Sequence, residues 1–156
     1  MIRSRLAAGC RLAILDALTN QVTLVGILDD IVASGFPVVL PRYTIVFLLD
    51  RDPNDPPVPT GVTTIWLGQK KVAESELAAD FEDKLHTRAF LTIQGFPVPE
   101  PGILRVALSI EGREVASFET HIRLGAPLVV RQAALPRDAG GPVVPPTEVS
   151  VPGSLR

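Results

Sequence analysis

Two adjacent segments near the C-terminal end of the sequence alternate between apolar and mostly polar residues, and this alternation indicates the fold class. They lie in PGILRVALSIEGREVASFETHIRL, Pro101 to Leu124. One set, almost entirely apolar, takes every second position: Leu104, Val106, Leu108 and Ile110, then Ala116, Phe118, Thr120, Ile122 and Leu124. Successive strand side chains point to opposite faces, so a period of two indicates a strand with one buried face. The stretch predicts a β-hairpin with one core face.

The length of the loop between the two arms decides whether their apolar faces lie on the same side of the hairpin. A two-residue loop at Glu111 and Gly112 places Leu108 opposite Val115 and mixes the faces, because a one-residue shift reverses every side chain. A three-residue loop or a bulge places Leu108 opposite Ala116 instead. We expect Gly112 to supply the positive φ that such a connection requires.

Further segments rich in strand-forming residues precede the hairpin and are separated by turn residues. They are Arg11 to Ala17, Val22 to Leu28, Tyr43 to Asp50, Val62 to Gly68 and Leu85 to Ile93. With the hairpin they make about seven strands, which is typical of an immunoglobulin-like sandwich. Helix-forming residues compete in Val72 to Lys84, which we interpret as strand or loop with one helical turn. The predicted fold is an all-β, antiparallel β-sandwich.

The stretch TNQVTLVGILDDI, Thr19 to Ile31, carries apolar residues on both faces of a predicted strand. A strand in the middle of one sheet has one face covered by the second sheet. We expect a loop or a partner to cover its other face. Gly26 within this strand predicts a bulge or a close approach.

The composition changes after Leu124. Residues 125–156 hold six of the chain's 15 prolines, include Gly140-Gly141 and show no sustained period. Such a segment cannot continue a sheet or build a core, so it is predicted to be extended or disordered. The predicted organisation is an N-terminal extension over residues 1–10, a β-sandwich domain over 11–124 and a Pro-rich tail over 125–156.

The tail is richer in aliphatic residues than a typical disordered segment. An extended segment of this kind can add a strand to an exposed sheet edge or lie in a groove. We expect the tail to hold a second copy of the chain or another protein. The residues predicted to do so are aliphatic: Leu128, Val129, Val130, Leu135, Val143 and Val144.

Charge and composition limit the class of partner. The 15 basic and 17 acidic residues are mixed along the chain and leave a net charge of -2, which provides no basic field for nucleic acid or anionic lipid. Arg11 and Asp16 interrupt the apolar opening, and no apolar run approaches the roughly 18 residues of a membrane helix. The single cysteine, Cys10, excludes an intramolecular disulfide and a cysteine-based zinc site. We expect a soluble, cytoplasmic protein with neither a nucleic-acid nor a membrane partner.

Acidic residues end two of the predicted strands. Carboxylates grouped in loops at one end of a sandwich can bind calcium. The EF-hand pattern fails, because its central glycine and distal glutamate are missing, and the neighbouring prolines already explain a solvated turn. We interpret these residues as ordinary turn acids and retain a calcium or small-ligand site as the alternative; its candidate ligands are Asp29, Asp30, Asp50, Asp52 and Asp55.

The sequence contains no catalytic signature. His86 and His121 are its two histidines, and neither has the spacing of a metal ligand. No G-x-S-x-G and no Gly-rich phosphate loop in a strand-and-helix context occurs. We therefore expect neither enzyme activity nor a cofactor, and an enzyme of unknown class is the third interpretation.

Three stretches together resemble a family of small bacterial proteins of uncharacterised function. They are LAILDALTNQVTLVGILDDI, the following FPVVLP and the late PGILRVALSIEGREVASFETHI, which span about Leu12 to Leu124. In that family a strand, a turn and a G-I/V-F/L-D-x-I segment open a domain that closes with a PG-x-Y/L-x-F/V hairpin. The resemblance implies a compact β-sandwich of bacterial or phage origin, and it brings no catalytic residues.

The apolar excess and the tail favour a protein that works through contacts. Hydrophobic residues make up 46% of the chain, and the mean hydropathy is +0.29. We predict a non-enzymatic interaction or structural module. It would act as a homo-oligomer or as an accessory subunit of a bacterial or phage assembly.

Overall fold

The computed structural model describes residues 1–125 of the chain. Apart from Gly125, the predicted tail lies outside these residues, and so do its six predicted contact residues, Leu128, Val129, Val130, Leu135, Val143 and Val144. The described part consists of strands joined by turns and short loops. The strands are β1 (Arg3–Leu15), β2 (Val22–Ile27), β3 (Asp30–Ala33), β4 (Val38–Asp50), β5 (Thr60–Leu67), β6 (Lys70–Ala78), β7 (His86–Val98), β8 (Gly102–Ile110) and β9 (Arg113–Leu124).

The strands form two sheets. One has the order β2-β1-β4-β7 and the other the order β3-β9-β8-β5-β6. The predicted all-β, antiparallel sandwich is confirmed. One pair departs from the antiparallel pattern, because β3 runs parallel to β9. The chain leaves β2, crosses to the second sheet within Leu28 and Asp29, and arrives beside β9 in the same direction as β9.

The described chain has two more strands than the seven that the sequence predicts. β3 has only four residues, too few to show a period. β6 occupies Lys70–Ala78, where strand or loop with a helical turn was predicted, and its burial alternates along its second half as in a strand with one covered face.

The predicted N-terminal extension over residues 1–10 is wrong. β1 begins at Arg3 and pairs with β4 from Arg3 opposite Asp50 to Cys10 opposite Thr44. A register shift between Ser4 and Leu6 breaks the period-two pattern there, so the strand does not stand out in the sequence. The domain therefore begins before Arg11.

The hairpin of β8 and β9 has the predicted faces, with a different connection. Ile110 lies opposite Arg113 across a two-residue turn, in which Glu111 has φ 52° and Gly112 has φ 75°. A register shift beside Leu108 then restores the faces and brings Ala116 opposite Leu108. A two-residue turn with two positive φ values matches the right-handed twist of the arms. The bulge then adds the one residue that brings the apolar faces of the two arms to the same side.

The core lies between the two sheets and is built on β4. Tyr43, Ile45, Phe47 and Leu49 occupy alternate positions, and all are fully buried. Each such side chain stabilises the fold by about 1.5–3 kcal/mol relative to an exposed position. The ring of Tyr43 stacks on Phe96 with centroids 5.8 Å apart.

Gly9 on β1 faces the same core beneath the Tyr43 ring. A Cβ atom at Gly9 would lie 2.8 Å from the Tyr43 hydroxyl oxygen and 3.1 Å from a ring carbon of Phe118. The hydroxyl groups of Tyr43 and Thr120 lie 3.4 Å apart, and Thr120 donates a hydrogen bond of 2.6 Å to the carbonyl of Leu28. The glycine thus permits the close approach of β1, β4 and β9.

Candidate interaction surface

The hairpin formed by β1 and β2 crosses the outer face of its own sheet. β1 leaves β4 after Cys10, and at the hairpin tip Asn20 accepts two hydrogen bonds from Arg88 of β7, at 2.7 Å to its side-chain oxygen and 2.5 Å to its carbonyl. β4 lies between β1 and β7 in the sheet. Since the second sheet covers the inner face, a contact from the tip to β7 requires the hairpin to pass over β4 on the outside.

This crossing explains two buried residues that point away from the core. Thr44 and Val46 alternate with the core residues of β4, so they belong to the outer face. Their exposed fractions are nevertheless 3% and 0%. The hairpin therefore acts as a partial third layer over the middle of the four-stranded sheet.

The hairpin itself exposes aliphatic side chains. Ile14 is 47% exposed, Val25 44% and Ile27 58%, and Leu18 at the tip is 96% exposed. In the pairing of β1 with β2, Ile14 lies opposite Thr23 and Val25 opposite Leu12, which puts Ile14, Val25 and Ile27 on one face of the hairpin. We call these three residues together with Leu18 the hairpin surface.

The interpretation of Thr19 to Ile31 as containing a central strand is wrong. Among the strands that the structure describes, β2 is an edge strand and pairs with β1 alone. Both of its faces are apolar because the hairpin packs across an outer sheet face and still exposes aliphatic residues. Gly26 has φ 63°, and a Cβ atom at this position would lie 3.2 Å from Arg11 Cδ, in agreement with the predicted close approach.

The four sheet edges differ in charge. β6 carries Lys70 and Lys71 with two glutamates, β7 carries His86 and Arg88, and β3 carries Asp30. Charges on an edge strand discourage pairing with another chain. Among the edges within residues 1–125, β2 alone, with the sequence VTLVGI, has no charged residue and no proline.

The structure does not bring the five aspartates together as one calcium site. Asp29 and Asp30 follow β2 near the Cys10 end of the β1–β4 ladder, whereas Asp50 lies opposite Arg3 at its other end. Six residues of strand from Gly9 to Arg3 correspond to about 20 Å. No group of three or more His, Cys, Asp or Glu side chains in residues 1–125 is arranged to hold a metal ion.

Four of the five aspartates instead contact cationic groups. Asp30 receives bonds from Arg123, the shortest being 2.6 Å, and these bonds hold its pKa below the ordinary value. Asp50 contacts Arg5 at 2.9 Å and His86 at 2.7 Å. Asp52 and Asp55 lie 2.7 Å and 2.5 Å from the terminal ammonium of Met1. Asp29 accepts a bond from the backbone N–H of Asp30.

A cleft of about 470 Å³ separates the hairpin tip from the beginning of β7. Its walls include Arg5, Lys84, His86 and Arg88. Each of these groups already has a partner in the protein, because Arg5 and His86 contact Asp50, Lys84 contacts Glu82 at 2.7 Å, and Arg88 holds Asn20. The cleft therefore presents paired charges to solvent.

The remaining candidate groups have structural surroundings. Cys10 is fully buried, and loss of solvation raises the pKa of its thiol. His121 is exposed on β9, where its backbone N–H donates a bond of 2.8 Å to the carbonyl of Asp29. Within residues 1–125 no helix has the length and apolar character to span a membrane.

The chain belongs to a family of unknown function, DUF6941, whose model matches residues 6–123. This match confirms the predicted membership in an uncharacterised family. No curated protein matches the chain.

Two solved structures from pseudomonads are similar to the chain. The alkylpurine DNA glycosylase AlkC of Pseudomonas fluorescens, solved on DNA with an abasic-site analogue, is 13% identical with a TM-score of 0.42 over 61% of this chain. The chain spans 28% of the glycosylase's length. An immunoglobulin-like protein of Pseudomonas aeruginosa is 10% identical with a TM-score of 0.43, over 79% of this chain and 97% of that protein. Neither similarity assigns an activity to this chain.

Sequence reasoning did not identify the hairpin surface. The signal was present in the apolar residues on both faces of Thr19 to Ile31. That pattern fits both a central strand and an edge strand folded over a sheet. The contact that distinguishes these two arrangements joins Asn20 to Arg88, which lies 68 positions later in the chain.

Proposed function

We propose that the protein is a non-enzymatic interaction module that works through contacts with other protein chains. It acts as a homo-oligomer or as an accessory subunit of a bacterial or phage assembly in the cytoplasm. The hairpin surface carries the proposal, because it groups exposed aliphatic side chains beside an uncharged sheet edge. Such a group is typical of a protein interaction site.

The polar groups of the described domain support the same conclusion. The acidic and basic side chains considered as ligands form ion pairs with one another, as Asp30 does with Arg123 and Asp50 with Arg5. An arrangement of mutually paired charges stabilises surface geometry and offers little to a small charged ligand. The function is therefore assigned to the apolar surface.

The tail is the second element of the proposal. It follows Gly125, whose N–H donates a bond of 3.0 Å to the carbonyl of Ala33 on β3. Gly125 thus lies beside the β3 edge of the five-stranded sheet. Its aliphatic residues bind a partner chain as an extended segment, as proteins that exchange terminal strands do.

Truncation after Gly125 tests the role of the tail. The two sheets and the core residues between them, from Ile2 to Ile122, are all present in the shortened chain, and the proposal gives the tail no part in folding them. We expect an unchanged melting temperature and the loss of tail-mediated association, measured by light scattering and thermal melting of both proteins. An unchanged mass with a large fall in melting temperature would show that the tail belongs to the domain's own core.

A further inference from the structure

We propose that β2 pairs antiparallel with β2 of a second copy of this chain. The two β1–β2 hairpins then join across a two-fold axis into one four-stranded layer. This inference rests on the proposed function and specifies its partner. It also assigns a role to the hairpin surface, whose side chains are exposed in the described domain.

β2 has a hydrogen-bonding edge that no strand of residues 1–125 occupies. One side of β2 pairs with β1, and its other side ends the sheet. Backbone N–H and C=O groups along such an edge form a template for another strand. Gly26, with φ 63°, departs from extended geometry, so we place the intermolecular ladder within Val22–Val25, centred on one residue that lies on the two-fold axis.

The absence of charged residues on β2 favours its pairing with a second copy of itself. In a two-fold pairing each strand meets its own sequence, so side chains of like charge come close to one another and destabilise the pair. β2 has no charged residue and avoids this repulsion. Self-pairing of β6 would bring Lys70 and Lys71 close to the same lysines of the other copy, unless the register kept them apart. Self-pairing of β7 would do the same for Arg88.

The size of the contact requires more than the backbone ladder. A ladder this short is too small for a specific interface, which buries at least about 1,000 Å² in total. Ile14, Val25 and Ile27 share one face of the hairpin, so they extend the contact beyond the backbone ladder. We expect a dimer held by so small a contact to dissociate on dilution.

The β1–β2 hairpin, and with it the β2 edge, is fixed in position within a single copy. Arg88 binds the hairpin tip through two hydrogen bonds to Asn20, and β1 continues into the middle of the sheet. A strand that is fixed before association loses little conformational entropy when it pairs. The second copy therefore meets a preformed edge.

Light scattering of the full-length chain over a range of concentrations tests the proposal. We expect a mass that rises from monomer to dimer with concentration. Val25→Lys places a like charge in both copies at the proposed junction and should raise the dissociation constant by at least about tenfold. Val39→Lys is the matched control, since Val39 is an exposed valine on β4 and its substitution should leave the dissociation constant unchanged.

Distance measurement between spin labels shows which surface forms the dimer. A label at Thr23→Cys on β2 should lie within about 20 Å of its copy, because adjacent strands are about 4.8 Å apart and β2 is about 20 Å long. A label at Lys70→Cys, on the far edge of the second sheet, should show no such distance. Circular dichroism and thermal melting establish that each variant folds.

Three results would overturn the proposal. The first is a wild-type chain that stays monomeric at every concentration, which leaves the accessory-subunit form of the proposed function intact. The second is a dimer that Val25→Lys and Val39→Lys affect equally. The third is a dimer in which the Lys70 labels lie close together and the Thr23 labels do not.

Discussion

Gly9→Ala should destabilise the protein, although replacing a strand glycine normally helps. Alanine restricts the unfolded chain, and the change stabilises by about 0.4–1 kcal/mol where the site has room. At Gly9 the new Cβ would lie 2.8 Å from the Tyr43 hydroxyl oxygen and 2.9 Å from a carbon of its ring. Distances this short require one of the two strands to move.

The Tyr43 side chain has little freedom to move. It is fully buried, stacks on Phe96 and lies within 3.4 Å of the Thr120 hydroxyl. Overpacking of this kind usually costs about 1–3 kcal/mol. The clash exceeds the entropic gain, so we expect a net loss of about 1–2 kcal/mol and a melting temperature lower by about 4–8 °C.

Thermal melting followed by circular dichroism measures this effect. Gly35→Ala is the control, because a Cβ atom at Gly35 would meet no atom of residues 1–125 within 4 Å beyond its own chain neighbours, and it should leave the melting temperature unchanged or raise it. In a Tyr43→Phe background the nearest clashing atom is gone, so Gly9→Ala should cost less there. A Gly9→Ala protein that melts at or above the wild-type temperature would refute the argument.

Two further predictions concern the core tyrosine and the hairpin. Burial raises the pKa of Tyr43 to about 12; since it is the only tyrosine, ultraviolet absorbance should show only about a tenth of the full tyrosinate signal at pH 11 in the folded state. Because the raised pKa favours the neutral form of Tyr43 in the folded protein, the free energy of unfolding should fall as the pH rises from about 10 towards 12. Ionisation of Tyr43 at pH 10 without unfolding would contradict this. Arg88→Met removes both hydrogen bonds to Asn20 and should speed amide exchange at Leu18 to Gln21 with a stability loss of at most about 1–2 kcal/mol, whereas Arg42→Met should leave this exchange unchanged.

The sequence allowed the strands with a clear period to be predicted, because a half-buried strand repeats every two residues. The segment Tyr43 to Asp50 forms the second half of β4, and the predicted opposition of Leu108 and Ala116 is present. Where the pattern was interrupted the prediction failed. The register shift after Ser4 hid the first half of β1, and β3 was too short to show a period.

The candidate surface was less predictable, since it depends on contacts between distant parts of the chain. The apolar character of Val25 and Ile27 was visible, yet nothing local distinguishes a central strand from an edge strand. The partners of Asp30 and Asp50 likewise come from other strands, so the carboxylates could not be recognised as members of ion pairs. The residues of the predicted tail surface lie beyond residue 125 and remain a prediction.

The parallel pairing of β3 with β9 has a consequence for the order in which the protein folds. Leu28, just before β3, accepts a hydrogen bond from Thr120 of β9, 92 positions later in the chain. Among the described strands β3 pairs with β9 alone, so this partner is missing until the last strand of the domain has been synthesised. Contacts of such long sequence separation slow folding into the range of milliseconds to seconds. Until β9 arrives, β3 has an unpaired edge close to the uncharged β2, and unpaired strand edges favour aggregation of incompletely folded chains.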